Sequence, residues 1–600
     1  MHCVANGHRI VALANLYSQI SDENSDCEEV DSFMYQTVGS NKVVPLIAEC
    51  LDLPLFRRPI RGSSVETSMN YSGIHSGDEV EDLLELLLEV KKNIPDVQAV
   101  SVGAILSNYQ RIRVENICTR LNLTPLSFLW QSDQSALLQS MIDTGVHAVL
   151  VKVAALGLDP FKHLGKSIAQ MQPILEQLND KFGCHVCGEG GEYETVTLDC
   201  PLFKKKFVII DQSTVIHSND AGAIVAYLKF KTLKIEEKAD NGTGELTDEI
   251  RERLIAFGSK NYIGVDDVKY LVSESADDTK ALREIRRDIT VNFSGHELKG
   301  FISPSVSFSK GYLAIGGARS RNSMPVDKET RDAMDAIAEI LQRHDMAWPD
   351  VIMMHLLVAS MDDFSAVNAV YGSYFGSNPP TRVTVEVEYH RSDSASIQID
   401  CLAFKNGGTS RPGIESSVTV KKSVMHVQGI SYWAPSNIGP YSQTVKLNDH
   451  LFVAGQIGLI PNTMTLPQLA SSPTDLGQLF AECLVCFNNI EAIACVQGCE
   501  FPNDLGVLVC FVRSAAYLKA AQNFCSAKIL KFESIPSLFL AVPKLPRACA
   551  VEFQTMFQSP NDLPDLNDDD DEDSETIQKM KYLSSSARVF NGNKKIDCKA

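Results

Sequence analysis

The sequence predicts an α/β protein, in which a helix-covered parallel sheet is followed by two smaller α+β units. Its 600 residues exceed what one hydrophobic core usually serves, so several domains are expected. Strand-like and helix-like runs alternate from residue 10 to about 200, which is the pattern of βαβ units. In the second half, YLAIGGARS at Tyr312–Ser320 and LFVAGQIGL at Leu451–Leu459 begin two copies of a diverged internal repeat.

The alternating runs define a first domain over residues 1–235. Its predicted strands are Ile10–Leu16, Pro54–Ile60, Ala99–Leu106, Pro125–Trp130 and His147–Ala155. Its predicted helices are Val44–Leu53, Asp78–Asn93, Tyr109–Leu121, Asp133–Thr144 and Leu164–Phe182. The strand-rich run Phe207–Lys234 completes the domain. Ligands of parallel sheets bind beyond the carboxyl ends of the strands, so the strand-to-helix turns are the first places to look for a site.

Each repeat copy continues with a long helical pattern, a hydrophobic strand, a second helix and closing strands. The predicted long helices are Glu329–His344 and Asp475–Gly498, and the predicted strands after them are Val351–Ser360 and Leu505–Ser514. This shared order predicts one α+β domain over residues 291–408 and another over 425–557. Residues 236–290 are charged and weakly periodic and are predicted to be a linker, whereas 558–600 form an acidic tail.

The formal net charge of −20 argues against nucleic acid as a partner, because phosphate binding needs clustered Lys and Arg. Part of the excess is the acidic run 568–573, which is expected to be solvated. We find no leader pattern at the N-terminus and no apolar stretch that we expect to cross a bilayer. Sixteen cysteines scattered among apolar runs favour free thiols in the reducing cytoplasm. The pair Cys184 and Cys187 leaves a redox or metal site as an alternative.

The first candidate site is the predicted strand-to-helix turn in Gly103–Cys118, GAILSNYQRIRVENIC. A serine before the helix and a glutamine three residues later fit a capping box, and a capped helix start offers free amides to an anion such as phosphate. Two arginines add charge suited to phosphate or carboxylate. The alternative is an ordinary turn with solvated arginines. The candidate nucleotide-binding residues here are Gly103, Ser107, Tyr109, Gln110, Arg111 and Arg113.

The second candidate is the glycine loop, Gly188–Thr195, with the sequence GEGGEYET. Gly188, Gly190 and Gly191 permit positive φ and close approach of another group, so they are further candidates for nucleotide binding. Glu189, Glu192 and Glu194 place three carboxylates together, and we take them as the candidate catalytic residues. Magnesium on nucleotide phosphates is a natural neutraliser of such a cluster. The alternative is a flexible acidic loop leading into a strand.

The third candidate is RGSS, formed by Arg61, Gly62, Ser63 and Ser64, just after a predicted strand. A polar stretch, residues 65–77, follows it. A long polar loop at the carboxyl side of a parallel sheet suits a substrate lid, and we predict substrate binding for these four residues. The alternative is a mobile connection.

Together these segments resemble the diphthine–ammonia ligase family of N-type ATP pyrophosphatases. The resemblance runs from residue 1 to about 210 and includes MYQTVG, PLFRRPIRGSS, the pattern over Gly103–Glu115, KVAALGLD, and HVCGEGGEYET at His185–Thr195. It implies a Rossmann-like, adenine nucleotide alpha hydrolase-like sheet. It also implies that ATP adenylates the carboxylate of diphthine, a modified histidine of elongation factor 2, with pyrophosphate leaving. Ammonia, supplied as ammonium, then displaces AMP and gives diphthamide.

The family pattern has one segment that this sequence does not contain. It begins with a strand and an SGGKDS loop that grips the pyrophosphate of ATP, and no such cluster occurs at a strand–helix junction here. We therefore expect little ATP-dependent ligase activity from this chain and full activity from a form extended with that loop.

The two repeats resemble Rid-type (YjgF-like) domains, which implies a chorismate mutase-like α+β fold and a tendency to form homo-oligomers. APSNIGPYSQ at Ala434–Gln443 is close to the opening signature of that family, and the first copy lacks it. Rid-type enzymes hold a substrate carboxylate with an Arg near the final strands. The resemblance places Arg382 at this position in the first copy and Leu538 at the equivalent position in the second. Two alternatives to the ligase thus stay open, a Rid-type imine deaminase or ribonuclease and a non-catalytic protein that binds elongation factor 2.

Overall fold

The computed structural model describes residues 1–17, 38–69, 71, 73–219, 224–238, 242–259, 304–309, 311–320, 323–388, 395–405, 422–468 and 475–559. The acidic run 568–573 and most of the predicted linker lie outside the described residues. The described chain groups into two compact units. The first contains residues 1–123 and 129–257, and the second contains 124–128 and the described part of 258–561.

The first unit contains the alternating elements that the sequence predicts, with boundaries shifted by a few residues. Its first two strands, β1 (Leu13–Tyr17) and β2 (Leu55–Pro59), pair in parallel with Leu13 opposite Leu55. The third, β3 (Ala99–Ser101), is much shorter than expected, because the chain leaves the strand early and enters the turn before the next helix. The helices are α1 (His2–Ala5), α2 (Ser40–Leu51), α3 (Glu79–Asn93), α4 (Asn108–Arg120), α5 (Gln134–Asp143), α6 (Pro160–His163), α7 (Ile168–Phe182) and α8 (Asp248–Ser259).

The strand after α5 does not have the parallel neighbours that strict alternation predicts. It is β5 (His147–Val153), and it pairs antiparallel with both β6 (Tyr193–Asp199) and β8 (Ile224–Glu237). The long hairpin of β7 (Lys205–Asn219) and β8 completes a four-stranded sheet in the order β6-β5-β8-β7. A hairpin pairs its own strands through a local turn, whereas a parallel pair needs a crossover. The α/β fold class is confirmed, but the parallel sheet gives way to an antiparallel one here.

The second unit confirms the internal repeat, because its two larger sheets share one strand order. The first sheet has the order β12-β11-β13-β10-β9, and the second has β18-β17-β19-β16-β15-β14. In each sheet the edge strand, β12 or β18, runs parallel to its neighbour, and the remaining pairs are antiparallel. The strands are β4 (Thr124–Leu126), β9 (Ser305–Ser309), β10 (Tyr312–Ala318), β11 (Val351–Val358), β12 (Thr381–Glu386), β13 (Ile397–Phe404), β14 (Lys422–Met425), β15 (Thr444–Leu447), β16 (His450–Ile457), β17 (Leu505–Val512), β18 (Ser537–Ala541) and β19 (Val551–Gln558).

Helices pack on the sheets of both repeats. The first repeat has α9 (Val326–Arg343) and α10 (Phe364–Gly372), and the second has α11 (Asp475–Val496) and α12 (Leu518–Lys528). Within the described residues, α11 alone is long and apolar enough to span a membrane, which corrects the expectation that no such stretch exists. Most of its apolar window, 72%, is buried inside the protein, as in the core helix of a globular fold.

Candidate functional site

The start of α4 has the capped geometry that the sequence predicts. Ser107 has extended backbone dihedrals, and its hydroxyl accepts a hydrogen bond from the Gln110 amide at 3.3 Å. The reciprocal bond from the Gln110 side chain to the Ser107 amide, which a complete capping box would add, is not among the hydrogen bonds of the described residues. A Cβ placed on Gly103 would meet nothing within 4 Å, so there is open space beside this turn. The turn therefore combines free helix-start amides with room for a ligand.

The carboxylate of Glu189 joins the glycine loop to this turn. Its two oxygens accept hydrogen bonds from the backbone amides of Ile105 at 2.6 Å and Leu106 at 2.7 Å. Charged acceptors on backbone amides form short, strong bonds of this kind. The two segments that the sequence singles out separately are thus neighbours on one side of the first unit.

His185 is a site residue that the sequence reasoning missed. Its Nδ1 accepts hydrogen bonds from the amides of Cys187 at 3.2 Å and Glu189 at 3.4 Å, so the ring shapes the loop from within. Its Nε2 lies 3.6 Å from the Glu189 carboxylate. Burial lowers the pKa of His185, while Glu189 and then Glu192 oppose that shift. A histidine just before a glycine-rich acidic loop was the available signal.

The other two carboxylates of the loop point to different partners. One oxygen of Glu192 accepts from the His185 amide at 2.7 Å. Glu194 pairs with Lys152 at 3.0 Å and accepts from the Val38 amide at 2.9 Å. Each of these carboxylates has at least one protein donor, whereas the second oxygen of Glu192 has no hydrogen-bond partner among the described residues.

No group of three or more His, Cys, Asp or Glu side chains suited to a metal occurs among the described residues. Magnesium bound to nucleotide phosphates needs only one or two carboxylates, so its role at this loop stays a prediction, and we derive no chemical step through that ion. The common feature of the three glutamates is a set of bonds that fixes the shape of the glycine loop.

Two loop glycines have the positive φ that the sequence predicts. Gly188 has a φ of 76°, and a Cβ there would come within 2.8 Å of the Tyr193 carbonyl. Gly191 has a φ of 85° and faces open space. Gly190 does not have a positive φ, but a Cβ on it would come within 2.9 Å of the Glu192 carboxylate. A side chain at any of these positions would strain or displace the loop.

Arg111 is buried and engaged inside the protein. It pairs with Glu115 at 2.6 Å, donates to Asn108 at 2.9 Å, and its guanidinium lies 4.7 Å from the centre of the Trp130 ring. The solvated charge that the sequence leaves as an alternative is therefore wrong, because Arg111 is 2% exposed and braces α4 against its surroundings. A contact between Arg111 and phosphate stays a prediction.

Arg113 is fully buried and ties α4 to the chain after RGSS. It donates to the carbonyls of Glu66 at 2.5 Å and Ser68 at 3.2 Å. Its guanidinium also lies 3.2 Å from the centre of the Tyr109 ring and 4.9 Å from that of Tyr71. Arg113, like Arg111, is therefore not the solvated surface charge that the sequence left as an alternative. For its guanidinium to contact phosphate directly, it would have to give up its bonds to the Glu66 and Ser68 carbonyls.

The predicted substrate loop is fastened to α3 by two buried aspartates that the sequence reasoning missed. Asp82 accepts from the amides of Arg61 at 2.7 Å and Gly62 at 2.8 Å. Asp78, the N-cap of α3, accepts from the amides of Val65 at 3.1 Å and Glu66 at 2.9 Å. An Asp that caps a helix after a polar loop was the signal for this role.

The same loop also reaches the start of α4. The Ser64 hydroxyl lies 3.1 Å from the Tyr109 hydroxyl, within hydrogen-bonding distance. On the other side, the Ser63 carbonyl accepts from the Glu79 amide at 3.0 Å. The RGSS segment, the start of α4 and the glycine loop therefore form one connected group of residues, which we call the α4 site.

Cys184 and Cys187 are not joined by a disulfide in the described structure, and the Cys187 sulfur donates to the Gln134 carbonyl at 3.3 Å. Burial raises the pKa of Cys187 to about 12, so the reactive thiolate is disfavoured. These observations favour a structural role for Cys187.

In the second unit, Arg382 lies at the contact between the two repeats. It donates to Asn368 at 2.8 Å, and its guanidinium is 4.9 Å from the centre of the Tyr371 ring. The second repeat contributes Tyr441, whose ring centre is 5.2 Å away, and Gly439, where a Cβ would come within 2.5 Å of the guanidinium. The arginine of one copy thus meets the signature segment of the other, and neither copy contains both.

A buried glutamate of the second repeat faces the same place. Burial raises the pKa of Glu552 to about 8, and the charge of Arg382 opposes the shift. Among the described residues, one oxygen of Glu552 has no hydrogen-bond partner. Leu538, at the position equivalent to Arg382, is 52% exposed on β18. The carboxylate-binding role of Arg382 stays a prediction, with Tyr441 and Glu552 as neighbours that the sequence did not reveal.

Two family models match parts of the chain. The model described as diphthamide synthase C-terminal domain matches residues 133–227, which include the glycine loop. The model described as endoribonuclease L-PSP matches residues 312–405, the first repeat. Among solved structures, a putative endoribonuclease from Thermotoga maritima is 27% identical and covers 22% of this chain and 94% of its own, with a TM-score of 0.19.

Curated relatives extend the match to most of the chain. The diphthine–ammonia ligase of Schizosaccharomyces pombe is 38% identical over 580 residues, which are 94% of this chain and 86% of the relative. That of Saccharomyces cerevisiae is 35% identical over 78% of this chain and 67% of its own length. The human ligase is 57% identical over 241 residues, 40% of this chain and 88% of the relative. A match of this extent, with the α4 site inside it, shows that the chain belongs to the diphthine–ammonia ligase family.

Proposed function

We propose that this chain completes diphthamide on elongation factor 2 by ATP-dependent amidation of diphthine. ATP adenylates the diphthine carboxylate and releases pyrophosphate. Ammonia then attacks the acyl carbon, a C–N bond forms, and the C–O bond to AMP breaks. The observation that carries the proposal is the pair of bonds from Glu189 to the Ile105 and Leu106 amides, because it places the glycine loop beside the helix start.

Each part of the α4 site has a task in this reaction. The free amides at the start of α4 bind nucleotide phosphate, since helix starts favour anions. The glycine loop allows the nucleotide to approach the backbone closely, and Gly191 has the open space for it. The RGSS segment holds the diphthine side chain. Holding carboxylate and phosphate together lowers the entropic part of the barrier.

Arg111 and Arg113 act in this proposal as positioning residues. Their bonds to Glu115 and to the Glu66 carbonyl keep α4 and the substrate loop in place. Magnesium, if it accompanies ATP, is held by the nucleotide phosphates and not by the three loop glutamates, whose carboxylates already have protein partners.

The proposal places the protein in the cytoplasm, where its substrate works. Elongation factor 2 is the protein partner, and neither nucleic acid nor a membrane is involved. The two repeats act as scaffold or homo-oligomerisation modules.

The test measures AMP release and amide formation on diphthine-bearing elongation factor 2 with ATP and ammonium. We expect AMP and amide in equal amounts. Binding of elongation factor 2 without AMP formation would contradict the proposal.

A further inference from the structure

Asp78, Glu79 and Asp82 are three of the four carboxylates at the start of α3, and they differ in their partners. Asp78 accepts bonds from the Val65 and Glu66 amides, and Asp82 accepts bonds from the Arg61 and Gly62 amides. Glu79, between them, is 1% exposed, and neither of its carboxylate oxygens has a hydrogen-bond partner among the described residues. Two of the three acids thus fasten the substrate loop, and the third has an unmet need for donors.

An unpartnered buried carboxylate is expensive. A buried carboxylate has lost its hydration, and without protein donors nothing compensates that loss. An apolar residue at this position would avoid that cost, and the next residue, Val80, is fully buried. The position of Glu79 is therefore better explained by a ligand that supplies donors and positive charge than by packing.

The surroundings of Glu79 favour a cation. The charged groups that act on it are Asp78, Asp82 and Arg113, so two negative charges face one positive charge. Burial raises the pKa of Glu79 to about 7. The charges of Asp78 and Asp82 raise this pKa further, whereas the charge of Arg113 lowers it. A carboxyl group that titrates near neutral pH can bind a cation and can also take a proton from it.

The carboxylate also lies next to the proposed substrate loop. The Glu79 amide donates to the Ser63 carbonyl at 3.0 Å. A Cβ on Gly62 would come within 2.6 Å of the Glu79 nitrogen, so loop and helix are in direct backbone contact here. A small cation bound at Glu79 would be beside the residues to which we assign the diphthine side chain.

We propose that Glu79 binds the ammonium co-substrate beside the RGSS segment. This inference rests on the proposed function, which makes ammonium a reactant. Ammonium is small, and its four N–H donors can satisfy both unpartnered oxygens. Before attack, its nitrogen must lose a proton. The Glu79 carboxylate takes this proton and becomes a neutral carboxylic acid, and the ammonia released is the nucleophile for the acyl carbon.

A binding experiment tests this independently of ligase activity. The melting temperature of the chain is measured in ammonium chloride, potassium chloride and tetramethylammonium chloride at equal concentrations. We expect ammonium alone to raise it, by about 2–4 °C, because a ligand of the folded state stabilises it. Glu79→Gln keeps the shape and removes the charge, so it should abolish this increase. Glu89→Gln, at a half-buried carboxylate of α3 that already pairs with Arg58, should keep it.

The outcomes separate the two proposals. No ammonium-specific stabilisation of the wild type, equal stabilisation by potassium, or the same increase in Glu79→Gln would overturn the ammonium site. Failure to form AMP while ammonium binding persists would count against the ligase function only. In the ligase assay, Glu79→Gln should lower kcat/KM for ammonium by about 10²-fold and leave KM for ATP unchanged.

Discussion

The Glu189 carboxylate accepts a hydrogen bond from the Ile105 amide at 2.6 Å, across 84 positions of sequence. Its second oxygen accepts from the next amide, that of Leu106. One side chain thereby sets the distance between the glycine loop and the start of α4. The consequences for activity and stability are testable by single substitutions.

Glu189→Gln should weaken this link. The amide oxygen of Gln can accept one bond, but its NH₂ group would face the other backbone donor. We expect AMP release to fall on the order of 10²-fold, because displaced reacting groups lose alignment. The free energy of unfolding should fall by about 1–3 kcal/mol. Glu249→Gln, with a side chain that is 73% exposed on α8, is the control and should change neither quantity. Full activity of Glu189→Gln would refute the bridging role.

His185 should make the first unit sensitive to acid. Its folded-state pKa is lowered, so the unfolded chain binds the proton more readily. The stability that neutral His185 contributes is present above its ordinary pKa of 6.5 and is lost as the pH falls below that value. Protonation removes the Nδ1 acceptor of the Cys187 and Glu189 amides.

The measurement for His185 is the free energy of unfolding between pH 7.5 and pH 5, by denaturant titration at about 25 °C. In His185→Asn the acid-induced loss should be smaller than in wild type. His147→Asn, at the exposed start of β5, should behave like wild type. An identical pH profile for His185→Asn and wild type would exclude the proposed role of the ring.

Asp78→Asn should loosen the substrate loop. One carboxylate oxygen accepts from two loop amides and the other from the Val80 amide and the Tyr71 hydroxyl, so an NH₂ group must face donors whichever way it turns. We expect a higher KM for diphthine-bearing elongation factor 2 and an unchanged KM for ATP. Steady-state kinetics of the ligase reaction measures both KM values. The exposed substitution Asp96→Asn is the matched control, and a parallel change in both KM values would point to general unfolding instead.

The elements of the first unit are predictable because they depend on local chemistry. The Ser107 cap and the positive φ of Gly188 and Gly191 follow from residue types at fixed spacing. The burial of Arg111 does not, because it depends on Trp130, which is distant in sequence. The antiparallel pairing of β5 also escapes prediction, since alternation of elements does not specify which strands become neighbours.

The contact between the repeats shows the same limit. Each repeat alone lacks either the arginine or the signature segment, so the sequence suggests two incomplete copies. The structure brings Arg382 and Tyr441 together from both copies. The proximity of Arg382 and Tyr441 depends on contacts between segments that are far apart in sequence. A local sequence pattern therefore cannot predict it.

Glu552→Gln should stabilise the second unit at alkaline pH. The folded-state pKa of Glu552 is raised to about 8, so its contribution is fully present below the ordinary value of 4.5 and is lost as the pH rises through about 8. Melting temperatures of wild type and variant at pH 6 and pH 9 check this. We expect the variant to melt higher than wild type at pH 9 and to show a smaller difference between the two pH values. A larger alkaline loss in the variant would be inconsistent with a buried, ionising Glu552.

The most direct test of the α4 site is hydrogen–deuterium exchange of the chain with and without a non-hydrolysable ATP analogue. A shared nucleotide site predicts slower exchange in both 103–113 and 188–195 on addition of the analogue. Protection of only one segment, or protection elsewhere with neither segment affected, would contradict the claim that the glycine loop and the start of α4 bind one nucleotide.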